Sequence, residues 1–165
     1  MTAVAEVQPQ PRVKEFLSGT GKLLINGEWV AARSGRTFAT YDPATGGKLA
    51  DVAHGEAADI DAAVRAARAA FDGPWSRLKS NQRERLIWRI GDLLSERAEI
   101  FGQLESLDNG KSATIAQVVD TEFAADVFRY YAGWATKIEG STVNVSMPFA
   151  PDAEFHAYTL REPVG

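Results

Sequence analysis

The 165-residue chain contains no cysteine, which excludes disulfides, thiolate metal centres and a cysteine nucleophile from this polypeptide at once. Its two histidines, His54 and His156, stand far apart and without a neighbouring histidine, so each reads as a structural or surface residue rather than a metal ligand. Basic blocks are missing as well: 18 lysines and arginines against 22 acidic residues leave a net charge of −4 spread along the whole length. Nothing here would displace counterions from a phosphate backbone, so nucleic acid is not an expected partner. No apolar run approaches the roughly eighteen residues a membrane span needs, and MTAVAEVQPQPRVKEFLSG lacks the apolar core of a signal peptide. A soluble, cytoplasmic protein with no membrane partner is expected. There is no G-x-G-x-x-G, no internal repeat and no low-complexity segment. Gly19-Thr20-Gly21-Lys22 fails as a phosphate loop, because Phe16 stands where the first glycine belongs and Leu23 where a Ser or Thr must hold the metal.

What is present suits a folding domain, since the 45% hydrophobic and 24% charged content is ordinary for globular chains. Residues 1–20, with Pro9 and Pro11, read as a flexible arm that includes a short helix near Val13–Leu17. Asn26-Gly27 between Leu23–Ile25 and Trp29–Ala31 signals a hairpin, because both turn residues tolerate positive φ. Thr37–Tyr41 and Lys48–Ala53 flank the turn residues Asp42-Pro43-Ala44-Thr45-Gly46, completing a small β-meander. From Ala58 the texture becomes helical, with Ile60, Val64, Ala67 and Phe71 on one stripe and Gly73-Pro74 as the stop. A second helix over Asn81–Glu96 carries Asn81 and Glu84 at capping-box spacing and Leu86, Ile90, Leu93 and Leu94 as its buried face. A third, Ala98–Leu107, ends at Asp108-Asn109-Gly110, and a long fourth covers Ala113–Lys137. Alternation at Val143, Val145 and Met147, a Pro148–Asp152 turn and Glu154–Arg161 form a closing hairpin.

Two polar or aromatic features stand out. Glu105 and Leu107–Lys111 make a helix C-cap; a compatible functional reading has Asp108, beside carbonyls left unpaired at the helix end, helping to bind a monovalent cation. Phe123, Val127, Tyr130 and Trp134, spaced 4, 3 and 4, share a helix face that is more often core than ligand cage. Carboxylates close in sequence, Asp59 with Asp61 and Glu96 with Glu99, sit at helix ends or solvated faces and suggest no acid–base pair.

Taken in order, LLINGEWV at 23–30, YDPATGGKLADVAHG at 41–55, DIDAAVRAARAAFDGPWSR at 59–77, ESLDNGK at 105–111, RYYAGWATKIEG at 129–140 and TLREPVG at 159–165 resemble the aldehyde dehydrogenase superfamily. AGWATKIEGSTVNVS followed by FHAYTLREPVG is most similar to bacterial phenylacetaldehyde dehydrogenases. The resemblance covers residues 22–165 almost continuously. It implies an α/β family fold of which this chain holds an N-terminal meander, about four α-helices and a C-terminal hairpin, ending before the Rossmann-like parallel sheet. The implied division is an arm at 1–20, the N-terminal part of the NAD-binding domain at 21–140, an oligomerisation hairpin at 141–161, and the start of the dinucleotide-binding core at 162–165.

Family members oxidise an aldehyde to the acid with NAD or NADP. A cysteine thiolate attacks, hydride passes to the nicotinamide, and glutamate-activated water hydrolyses the thioester, with an asparagine and a backbone amide at the oxyanion. The positions matching that cysteine, glutamate and asparagine are not in this sequence, so no catalytic and no cofactor-binding residue is assigned, and the chain alone is expected to be inactive and to bind no NAD. The resemblance carries over the carbonyls of Thr40 and Tyr41 and the carboxylate of Asp108 as ligands of a Na+ or K+ ion. It also carries over Phe123 as a wall of the aldehyde tunnel, suited to an aryl or other apolar substrate. A homo-oligomer is implied. The alternative is a non-catalytic interaction module whose hairpin adds strands to a full-length paralogue. On either view, apolar helix faces without partners are expected to make the isolated chain aggregate or remain molten.

Overall fold

In the computed structural model, which describes residues 8–164, Asn26 and Gly27 adopt φ of 53° and 80°, the paired positive angles of a tight hairpin turn. They join β1 (Leu23–Ile25) to β2 (Glu28–Val30), with Leu23 opposite Val30. Strands β3 (Thr37–Tyr41) and β4 (Lys48–Ala53) form a second antiparallel pair. Its turn is organised by the Asp42 carboxylate, which accepts from the Ala44 N–H at 2.8 Å and the Thr45 hydroxyl at 2.9 Å. β2 and β3 do not pair with each other, so the opening segment is two hairpins rather than one continuous meander. The chain between them is committed elsewhere: Ala32 is buried, and the Arg33 N–H donates to Asp59 of the following helix at 3.0 Å. The outer edge of β4 is instead covered by Gly21, whose N–H donates to Asp51 and whose carbonyl accepts from Ala53, each at 2.8 Å.

Helix α1 (Pro11–Ser18) starts on a proline, where the missing N–H costs nothing. It is the short helix expected near Val13–Leu17, and it is docked: Val13 is fully buried and the Gln10 N–H donates to Gln103 at 2.8 Å. The part of the expected arm before residue 8, and Gly165, lie outside the described residues.

Helices α2 (Ala57–Ala70), α3 (Ser80–Ser95) and α4 (Ala98–Asn109) follow. α2 runs into a π-turn at Phe71–Trp75 in which Gly73 leaves helical geometry ahead of Pro74. α3 is capped by Lys79 and begins at Ser80 rather than at Asn81, and the capping acceptor is Gln82, which takes the Lys79 N–H at 2.9 Å; Asn81 and Glu84 therefore lie inside the first turns. α4 ends on Gly110 in the left-handed region, φ 80°, as the Asp-Asn-Gly signal predicts. The long fourth helix is present as α5 (Ala113–Ile115), a π-turn at Ala116–Thr121 and α6 (Glu122–Trp134).

Helix packing uses small residues. A Cβ added at Gly91 of α3 would stand 2.7 Å from the Ala125 carbonyl oxygen, and one at Gly102 of α4 would stand 2.7 Å from Gln117. Close approach is then fastened by polar links: Arg129 donates to Asp92 at 3.2 Å and Ser95 at 3.1 Å, while the Ser95 hydroxyl donates to Glu122 at 2.7 Å. The faces expected to be buried are only partly so, Leu93 and Leu94 of α3 being half-buried. Leu86 and Ile90 are exposed on α3, as are Phe123, Val127, Tyr130 and Trp134 on α6, and Ile60 and Val64 of α2 are each 60% accessible. A hydrophobic period identifies residues that need a partner; it does not say that the partner lies in the same segment. The closing hairpin is shorter than its alternation predicts, with β5 (Thr142–Val143) and β6 (Ala157–Tyr158) paired and a Met147–Ala150 bridge near the tip.

Candidate functional site

The principal cleft, of about 720 Å³, opens between the C-terminal end of α1, the two N-terminal hairpins and α4. Phe16, Trp29 and Phe101 supply apolar wall, and Thr40, Glu105 and Asp108 bring oxygen atoms to it. These residues are far apart in sequence, and two local features bring them together. The β3–β4 register slips between Thr40 and Tyr41: Thr40 stands opposite Ala50 but Tyr41 opposite Lys48, which leaves Leu49 as the extra residue of a bulge. The slip disturbs the ladder at the end of β3, the kind of place where carbonyls are released from strand pairing. The second feature is Gly110, against which Pro43 of the β3–β4 turn is pressed; a Cβ there would lie 2.9 Å from the Pro43 Cγ. The turn therefore sits on the end of α4, next to the last helical carbonyls.

Around Asp108 the cap is heavily cross-linked. The Ser106 hydroxyl donates to the Lys111 carbonyl at 2.6 Å, the Lys111 N–H donates to the Asn109 side chain at 2.9 Å, and Asn109 donates to Glu105 at 2.6 Å. The Lys111 ammonium reaches Asp120 at 2.7 Å and Glu105 at 3.4 Å. Its pKa is held above the ordinary lysine value, first by the hydrogen bond to Asp120. Asp108, which lines the cleft, takes no part in these hydrogen bonds.

Of the residues singled out by sequence, Thr40 and Asp108 share the cleft. Tyr41, 57% accessible, does not line it, and Phe123, 69% accessible, projects from α6 elsewhere on the molecule. The cleft also carries Lys22 beside Thr40, Glu105 and Asp108; among the described residues no cluster of three or more His, Cys, Asp or Glu could hold a metal ion by itself. The described strand pairs are antiparallel and two-stranded. Among the described residues there is no strand–helix–strand unit of the kind that seats a dinucleotide pyrophosphate.

Sequence reasoning missed two contributions. Gly19–Lys22, dismissed as a phosphate loop, lines the cleft because Gly21 is stitched to β4. Asp59 stands in the first turn of α2, as its sequence position indicates, but it is also buried and accepts from two backbone amides, Arg33 and Glu56, each at 3.0 Å. The only sequence signal for that role is its place three residues after Glu56. Among the described residues no helix is long and apolar enough to cross a membrane.

The aldehyde dehydrogenase family model matches residues 29–165. Over 145 residues the chain is 48% identical to aldehyde dehydrogenase 1 of Tanacetum cinerariifolium, covering 87% of this chain and 28% of that protein. Over 145 residues it is 41% identical to a phenylacetaldehyde dehydrogenase of Pseudomonas fluorescens, covering 87% of this chain and 29% of that one. The solved NAD+ complex of an aldehyde dehydrogenase from Bacillus cereus superposes with a TM-score of 0.83 at 45% identity, over 86% of this chain and 29% of the other. The chain thus spans less than a third of the length of these relatives.

Proposed function

Since the chain belongs to the aldehyde dehydrogenase family, we propose that it is the N-terminal portion of an NAD(P)-dependent enzyme that oxidises an aldehyde to the carboxylic acid, and that these 165 residues alone are inactive. The observation that carries the reading is the family match over residues 29–165 in a sequence with no cysteine. Thiolate attack on the aldehyde needs a nucleophile that this segment does not contain. Its own contribution is scaffold: a platform of hairpins and helices, a cation site and one wall of the substrate path.

In this reading Asp108 supplies the charge and the carbonyls of Thr40 and Tyr41 the neutral oxygens for Na+ or K+. The ion would tie the bulged end of β3 to the C-terminus of α4, where helix carbonyls already favour positive charge. Phe123 is an aromatic wall suited to an arylacetaldehyde, in keeping with the similarity to a phenylacetaldehyde dehydrogenase. NAD would bind outside the described residues and supply the hydride acceptor; no residue of this chain is assigned to it.

The test is aldehyde-dependent NAD reduction by the purified chain, measured with and without the downstream residues of a full-length family member fused to it. No turnover alone and turnover in the fusion is the expected pair of results. Turnover by the 165-residue chain itself would overturn the reading.

A second reading has one observation in its favour. The β5–β6 hairpin projects Phe149, Tyr158 and Leu160 into solvent and pairs only two residues on each strand, so its edges are open to strand addition from another subunit or a paralogue. Co-migration with a full-length paralogue on size exclusion would support this module role, and separate elution would reject it.

A further inference from the structure

Between Ala113 and Trp134 the buried residues are Ala116, Thr121, Ala125 and Ala132, spaced 5, 4 and 7. Spacings of 4 and 7 keep side chains on one face of an α-helix, whereas a spacing of 5 swings the face away by about 140°. All four are nevertheless buried, in a helix whose first half packs on α4 and whose second half packs on α3. The π-turn at Ala116–Thr121 accounts for this, because it takes up one extra residue and so removes about 100° of rotation, returning Thr121 to within about 40° of Ala116.

Each half of the helix is independently clamped. Gln117 is pressed on Gly102 of α4, and Ala125 on Gly91 of α3, with a hypothetical Cβ at 2.7 Å in both cases. Within the turn the buried Thr121 hydroxyl donates to the Ala116 carbonyl at 3.0 Å. With the phase set this way, Phe123 points away from both α3 and α4 and leads the exposed row Phe123, Val127, Tyr130 and Trp134. In an uninterrupted helix anchored at Ala116, Phe123 would fall at a spacing of seven, on the Ala116 side and against α4.

We propose that Thr121 is a positioning residue for Phe123: its hydroxyl fixes the extra residue in the π-turn, and that turn aims the aromatic face at the aldehyde. The assignment of the aldehyde to this face rests on the Phe123 reading given under Proposed function; the geometric part does not.

The test uses Thr121→Val, Thr121→Ser, deletion of Val118, which is 61% accessible, and the deletion combined with Thr121→Val. In the chain fused to the downstream residues of a family member, hydrogen exchange of the 116–122 amides reports the turn. Thr121→Val is expected to speed it on the order of tenfold, the loss of one buried hydrogen bond, while Thr121→Ser restores it. Deleting Val118 converts the spacing of 5 to 4, so the shortened chain should fold with Phe123 on the same side, and Thr121→Val should then have no effect on exchange. A deletion variant that unfolds or rotates Phe123 inward, or a Thr121→Val effect equal in both backgrounds, overturns the proposal.

The second arm measures kcat/KM for phenylacetaldehyde relative to acetaldehyde in the same fusion. Phe123→Ala and Thr121→Val should each lower that ratio about tenfold, the scale of a changed apolar pocket contact, with Thr121→Ser close to the parent. If Phe123→Ala leaves the ratio unchanged, the tunnel reading fails and exchange alone decides the turn. If Phe123→Ala lowers the ratio and Thr121→Val does not, the positioning role is overturned.

Discussion

Pro43 rests on Gly110. The glycine holds φ at 80°, and a methyl group in place of its hydrogen would lie 2.9 Å from the Pro43 Cγ. One residue thus ends α4 and receives the β3–β4 turn, which is how Thr40 and Asp108 come to share a cleft although they lie on different elements.

Gly110→Ala should therefore be destabilising on two counts, the left-handed backbone and the collision with Pro43. The backbone alone costs about 1–2 kcal/mol for a residue with a Cβ. In a fusion to the downstream residues of a family member, a lowered urea midpoint with an unchanged m-value is expected. Pairing it with Pro43→Ala should recover the steric part and leave the backbone part; a double variant no more stable than Gly110→Ala would show that the contact carries no energy.

Asp59 makes the junction of the β2–β3 link with α2 sensitive to acid. Amides of Glu56 and Arg33 hold its carboxylate below the ordinary range, the Glu56 bond being the larger cause. Because the folded pKa is depressed, the stabilisation is complete above the unfolded value of about 3.9 and is lost as pH falls through the folded one. Stability of that fusion should be flat in this contribution from neutral pH down to about 5, then decline. Asp59→Asn offers one acceptor to two donors, so it should abolish that part of the acid limb and speed exchange of the Arg33 or Glu56 amide, both measurable by NMR.

Gly91→Ala tests the α3–α6 contact. The new methyl would meet the Ala125 backbone oxygen at 2.7 Å, and a backbone atom yields only if the helices separate. A loss of about 1–3 kcal/mol, typical of overpacking, should appear in thermal or urea unfolding of the same fusion. Weaker protection of the Arg129 side chain, which bridges to Asp92 and Ser95, should accompany it. An unchanged midpoint would mean that the two helices are not held this closely.

The exposed apolar faces predict the behaviour of the isolated chain. Ile60 and Val64 on α2, Leu86 and Ile90 on α3, and the Phe123–Trp134 row on α6 all face solvent, more than a soluble monomer normally leaves uncovered. Strong binding of a hydrophobic dye and concentration-dependent light scattering are expected, and both should fall when the downstream residues of a family member are fused to it. A sharp, cooperative thermal transition of a monomer would contradict this.

The sequence by itself determined the local structure. Asn26-Gly27 set the first turn because both residues accept positive φ, Asp42–Gly46 set the second, Gly110 ended α4, and the apolar periods placed the helices to within a few residues. The ordered set of motifs also identified the family. Tertiary structure alone decided which sides of those helices are covered, since a period of 3.6 marks an apolar face without naming its partner. It also decided that Gly91 and Gly102, unremarkable in the sequence, are the points of closest helix contact, and that Asp59 is a buried anchor. The spacing of 5 between Ala116 and Thr121 was written in the chain, but its meaning depended on α3 and α4 clamping the two halves to one side. The cleft followed the same rule: Thr40 and Asp108 could be named from sequence, but only Pro43 seated on Gly110 brings their elements together, because contacts between distant segments depend on packing that no local pattern encodes.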